Sequence, residues 1–191
     1  MTSIEYMKLK KNQSEYFKTA VQNLVENKID LHFSRTKNVD DCAGYFCPCT
    51  KSLSVAIWYK DWFSVFIHEY NHYKQWKART KLWMATEDID FFDKFPKRKL
   101  LSMQLMEQEC DKMVWQDVLE YELEDMENQI IEANAYHISY ANMVDKKQFV
   151  KKAPYKIKEI TKLCPKNRFF KISELNQPNA KLYKLISDEC F

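Results

Sequence analysis

The sequence predicts a mainly helical α+β chain with one small β-sheet. Three observations predict it. Gly44 is the only glycine in 191 residues, which argues against a turn-rich sandwich or barrel. Hydrophobic residues make up 46% and charged residues 30%, a globular balance. Apolar residues recur at helical spacing over long stretches, whereas only two short runs read as strands.

Taken in order, residues 13–27 carry Tyr16, Phe17, Ala20, Val21, Leu24 and Val25 on a helical period, with Ser14 as the expected cap. Residues 29–33 alternate and predict a short strand. Residues 35–50 read as loop and hold Gly44 with Cys42, Cys47 and Cys49. Residues 52–59 predict a second strand. Residues 61–78 predict an apolar helix, followed by loop as far as Pro96. A long helix is expected over 97–125 and another over 127–144. Beyond Asp145 the composition changes: residues 146–171 hold ten basic residues and one acidic residue, Glu159, and Pro154 and Pro165 interrupt any long helix. A short last helix is expected over 180–187. The organisation expected is one domain over 1–145, with 146–191 as a basic extension packed on it, since that stretch is too short to bury its own core.

The same composition excludes several functions. One glycine cannot build a dinucleotide-binding fingerprint, a phosphate-binding P-loop or a glycine-rich kinase loop. A net charge of +3 is too mild to imply a nucleic-acid partner by itself. No apolar leader or membrane-spanning stretch is readable, so a cytoplasmic setting with reduced thiols is expected for the six cysteines.

The chemistry is concentrated in His68-Glu69-Tyr70-Asn71-His72, an HExxH inside the helical stretch 61–78. On a helix the i, i+4 spacing puts both imidazoles on one face, one turn apart, where they can share one Zn2+. Glu69 projects beside that position and suits the general base that takes a proton from a zinc-activated water. A catalytic zinc needs a third protein ligand. The continuation that would supply a third histidine is absent, since Gln75 stands where its glycine would be. The third ligand is therefore expected from a later helix, with a carboxylate the common choice.

The later segment Leu105-Met106-Glu107-Gln108-Glu109-Cys110-Asp111 supplies carboxylates, and here the chain resembles the gluzincin branch of zinc metallopeptidases. Those proteins pair HExxH with Glu-x-x-x-Asp on the next helix. The resemblance implies a zincin-like fold with the active-site helix under a short sheet. It also implies Glu107 as the third ligand and Asp111 as the residue that orients a ligand histidine. Glu109 is the competing carboxylate, and it lies about 200° around the helix from Glu107. Nine acidic residues fall between 107 and 127, so a solvated acidic face is the plain alternative.

In gluzincins a downstream tyrosine or histidine often donates to the oxyanion of the tetrahedral intermediate. Tyr136, His137 and Tyr140 match that role by resemblance; the competing reading is an aromatic stripe on the core, and His137 is also an alternative ligand. An edge strand before the active helix, the usual zincin arrangement, could receive an extended peptide. The segments FIHEYNHYKQW, LMEQECDK and ANAYHISY together resemble small uncharacterised metallopeptidase-like proteins of phages and large DNA viruses, over roughly residues 40–165. That resemblance implies a viral protein in host cytoplasm or virion.

The expected function is thus a zinc-dependent hydrolase acting on a peptide or protein. Its rivals are a non-catalytic metal-binding structural or virion-associated protein, and a nucleic-acid-associated protease using 146–171 with Tyr155, Phe169 and Phe170. The spacing of Cys42, Cys47 and Cys49 does not fit a zinc knuckle, and His32 carries no expected role. Cys110 is expected to pack.

Overall fold

The computed structural model describes residues 9–87, 97–123 and 128–191. As expected, the fold is mainly helical with one small sheet of three strands, an α+β arrangement. The described chain falls into two compact units. One comprises residues up to Lys77 with those from Gln116 to Leu123; the other runs from Ala78 to Trp115 and from 128 to Phe191.

The first unit opens with α1, Lys11–Glu26, which buries Tyr16, Phe17, Ala20 and Leu24 along one face. Lys10, not Ser14, holds its N-cap position, where the Lys10 N–H donates to Gln13 Oε1 at 3.1 Å. Ser14 lies inside the first turn. The helix stops where Lys28 takes a left-handed φ of 58°. Strands β1 (Asp30–Ser34), β2 (Gly44–Cys47) and β3 (Ser52–Ala56) follow, ordered β1-β3-β2. β1 runs parallel to β3 from Asp30↔Ser52 to Ser34↔Ala56, and β2 runs antiparallel from Gly44↔Val55 to Cys47↔Ser52. β3 is central and all five of its residues are buried.

β2 falls within the stretch expected to be loop. Gly44 opens it because the backbone comes close: a Cβ there would stand 2.6 Å from Val65 Cγ1 and 2.8 Å from the Ser54 carbonyl oxygen. α2, Trp62–Ala78, then packs Phe66 against Phe17 and Phe33, with ring centroids 4.8 and 6.1 Å apart.

The second unit holds α3 (Lys81–Glu87), the first part of α4 (Lys97–Glu120), α5 (Gln129–His137) and α6 (Ser139–Lys146). After a 3-10 turn at Pro154–Lys156 come α7 (Lys158–Thr161), α8 (Ile172–Asn176) and α9 (Ala180–Glu189). α3 also lies in a stretch expected to be loop. Its cap is Thr80, whose hydroxyl accepts from Trp83 N at 3.2 Å, after Arg79 has turned the chain at φ 50°. The rest of that expected loop, 88–96, lies outside the described residues, as do 124–127 at the junction of the two helices expected next.

The helix expected over 127–144 is two. They part at Ile138, beside Ser139, whose Oγ donates back to the Tyr136 carbonyl at 2.6 Å, a local bond that competes with the helical ladder. Ala135, Ile138, Ile160, Leu175, Leu182 and Ile186 share one core. Asn134 ties that core to the chain beyond it, donating to the carbonyls of Pro165 and Arg168 and accepting from Phe170 N. Residues 146–191 thus belong to the same unit as 128–145, and residue 145 marks no division between compact units. Among the described residues, no helix is long and apolar enough to cross a membrane.

Candidate metal centre

α2 presents the HExxH as its spacing predicts. His68 is half-buried and His72 buried, one turn apart, with ring centroids 4.6 Å apart and planes at 88°. His72 has an orienting partner on its own helix: its Nδ1 stands 2.9 Å from Oε1 of the fully buried Gln75. An amide oxygen can only accept, so Nδ1 is the donor in this contact. A ring tethered in this way is fixed in tautomer and made a better metal ligand.

Glu69, between the two histidines, is buried, and its Oε2 accepts from the Phe46 backbone N–H of β2 at 2.9 Å. β2 is an edge strand, so that N–H has no further strand to meet. One carboxylate oxygen is thereby held in place.

On its opposite face α2 is anchored by Asp117, in the last turn of α4. Asp117 Oδ2 accepts from Tyr16 Oη at 2.6 Å and from Asn71 Nδ2 at 2.8 Å, and Lys74 Nζ reaches both carboxylate oxygens at 2.8–2.9 Å. Asn71 also donates to the Ile67 carbonyl. Burial, reinforced by the Asp117 charge, pushes the Tyr16 phenol well above its ordinary range. Burial pushes Tyr70 up to about 12, with the neighbouring Tyr73 adding to it. These residues fix the rotation of the helix that carries the histidines.

His68 and His72 offer two imidazole nitrogens on one face of α2 that a metal ion could share, and imidazole suits zinc and other borderline divalent cations. In the second unit, Cys110 is buried and Glu107 and Glu109 are half-buried on α4. Glu109 Oε2 accepts from Thr80 Oγ1 at 2.7 Å. Glu107 precedes Cys110 by three residues and shares its helix face. No protein-family model matches the chain, and neither does any curated protein or solved structure.

Within the second unit, Asp111 holds a histidine: its Oδ2 lies 2.9 Å from Nε2 of the fully buried His137. The contact has ion-pair distance without hydrogen-bond angle, and among the described residues His137 Nδ1 has no hydrogen-bond partner. Gln129 Nε2 supports Asp111 from the other side, at 3.2 Å from Oδ1, and Gln104 Nε2 donates to the His137 carbonyl at 2.8 Å. Tyr140 is buried in a cluster with Leu100 and Met143, and Tyr136 stacks edge-on against it at 5.9 Å. His32 is exposed on β1.

Sequence reasoning missed Gln75 and the Phe46 N–H. The first had a readable signal in its i, i+3 spacing from His72. The second depends on which segments meet.

Proposed function

We propose that the chain is a zinc-dependent hydrolase of peptide bonds, similar in plan to the gluzincins that its HExxH and Glu107…Asp111 resemble. The observation that carries this reading is the tethered pair on α2: His68 and His72 on one face, with His72 Nδ1 committed to Gln75 and a buried glutamate between them. A site that only stores a metal needs no base there. His68 and His72 hold the cation, with Glu107 the third donor that the resemblance to gluzincins implies. When bound, a divalent cation acidifies a coordinated water and polarises a carbonyl.

The chain's own residues do the rest. Glu69, steadied by the Phe46 N–H, takes the proton through its second oxygen and passes it to the departing amine. Gln75, accepting from Nδ1, leaves Nε2 as the nitrogen of His72 that ligates. Burial of Glu69 excludes the bulk water that would otherwise solvate the transferred proton.

Metal content and hydrolysis of a mixed peptide library by the purified chain test the reading. Wild type is expected to carry one zinc per chain, His72→Ala to lose it, and Glu69→Gln to keep zinc while losing hydrolysis. Of Cys110→Ala and Glu107→Ala, the one that loses zinc identifies the third ligand. Wild type without metal overturns the reading. Wild type with stoichiometric zinc and no hydrolysis replaces it with a non-catalytic metal-binding protein.

A further inference from the structure

The turn that closes β2 against β3 carries a second constellation, Cys47-Pro48-Cys49-Thr50, which the metal reading does not use. Cys47 is the last residue of β2, paired with Ser52, and is half-buried; Cys49 is exposed in the turn, and both are free thiols. Two residues apart, their Cα atoms can be separated by at most about 7 Å, and a turn brings them closer, into the roughly 4.4–6.8 Å window of a disulfide. Pro48 fixes its own φ and so preorganises the turn. The turn runs from Cys47 at the end of β2 to Ser52 at the start of β3, its partner in the ladder, so both thiols sit on one tight reversal of the chain.

We propose that Cys47 and Cys49 form a redox-active dithiol that a hydroperoxide converts reversibly to an intramolecular disulfide. Cys47 is the attacking group. Its thiolate displaces water from the peroxide and becomes a sulfenic acid. The Cys49 thiol then attacks that sulfur, a second water leaves, and the S–S bond forms. Two thiols are oxidised and one peroxide is reduced to two waters. A disulfide closing so short a loop is strained and easily reduced, as a reversible one must be.

The surroundings distinguish this pair from the other described thiols. Hydrogen bonds from Thr50 draw the Cys47 thiol below its ordinary value, which raises its thiolate fraction. Burial pushes Cys42, Cys164 and Cys190 the other way, Cys164 up to about 12. Structural zinc is the competing use of paired cysteines, and it wants four ligands. Among the described residues, Cys47 and Cys49 belong to no group of three or more ligands.

The test is stepwise oxidation of the full chain with hydrogen peroxide, followed by thiol blocking and peptide mass analysis. The peptide holding 47–49 is expected to become two hydrogens lighter and to recover both on treatment with dithiothreitol. Cys49→Ser should stop at a sulfenic acid on Cys47 that dimedone traps. Cys47→Ser should slow oxidation of Cys49 at least about ten-fold. Both serine variants face solvent in part and should keep the wild-type unfolding midpoint. The inference is overturned if wild type forms no 47–49 link, if it links only between chains, or if Cys47→Ser leaves the oxidation rate of Cys49 unchanged. None of these outcomes depends on whether the chain binds zinc or cleaves peptides.

Discussion

Gln75 Oε1 stands 2.9 Å from His72 Nδ1, three residues on along the same helix, and so fixes which nitrogen of that ring faces away from the helix. Outer partners of this kind typically carry a ten- to hundred-fold share of metal affinity. Gln75→Leu keeps the bulk and removes the acceptor. It is expected to weaken zinc binding by roughly ten-fold or more in competition with a chelator, with His68 and His72 untouched. An unchanged affinity would show that the amide does not orient the ring.

Asp117 gathers Tyr16, Asn71 and Lys74 around one buried carboxylate. Asp117→Asn leaves the Lys74 ammonium without its counter-charge and the Tyr16 hydroxyl with a poorer acceptor. A loss of about 2–4 kcal/mol is expected, read as a lower denaturant midpoint with the slope unchanged. A loss below ~1 kcal/mol would mean that water replaces the carboxylate without penalty.

α1, α2, α4, α9 and two of the three strands were legible because their faces are written in period: Tyr16, Phe17, Ala20 and Leu24 on α1, and the short run 52–56 on β3. β2 was not, since Gly44-Tyr-Phe-Cys sits among turn residues and becomes a strand only by pairing with β3. α3 was hidden by its length, although Thr80 before Leu82 and Trp83 is a cap signal. The split at Ile138 has no proline or glycine to mark it and depends on the rotamer of Ser139. Of the candidate site, the HExxH was legible from spacing alone. The Phe46 N–H that meets Glu69 was not, because sequence offers no distance between a strand and a helix. That Asp111 meets His137, twenty-six positions on, depends on tertiary packing that no local pattern encodes.

Gly44 is needed for room rather than for an unusual φ, so Gly44→Ala has no backbone preference to offset its clash with Val65 and the Ser54 carbonyl. A loss of about 1–3 kcal/mol is expected, seen as a lower Tm. Adding Val65→Ala should restore part of it, because the side chain can be cut back and the carbonyl cannot. Full restoration would show that the Ser54 contact is harmless.

Arg168 grips Glu174 with both guanidinium nitrogens, at 2.7 and 2.8 Å, and the Lys171 N–H adds a third bond. The guanidinium first, then the N–H, holds the Glu174 carboxyl near 2, below its ordinary 4.5. A depressed carboxyl stabilises the fold fully above its unfolded value and ceases to as pH falls through its folded one. The stability gap between wild type and Glu174→Gln should therefore be constant above about 4.5 and close as pH falls toward 2. A gap that widens on acidification would reverse the assignment.

The bond from Phe46 to Glu69 has a consequence beyond any reaction. An outermost strand offers unmet amide groups to strands of neighbouring molecules, and proteins that leave such a rim bare tend to stick together. Here a carboxylate from the helix beneath covers the rim of β2 at its midpoint and brings a negative charge with it. Trimming this glutamate to alanine would expose a seam through which one molecule can zip onto the next.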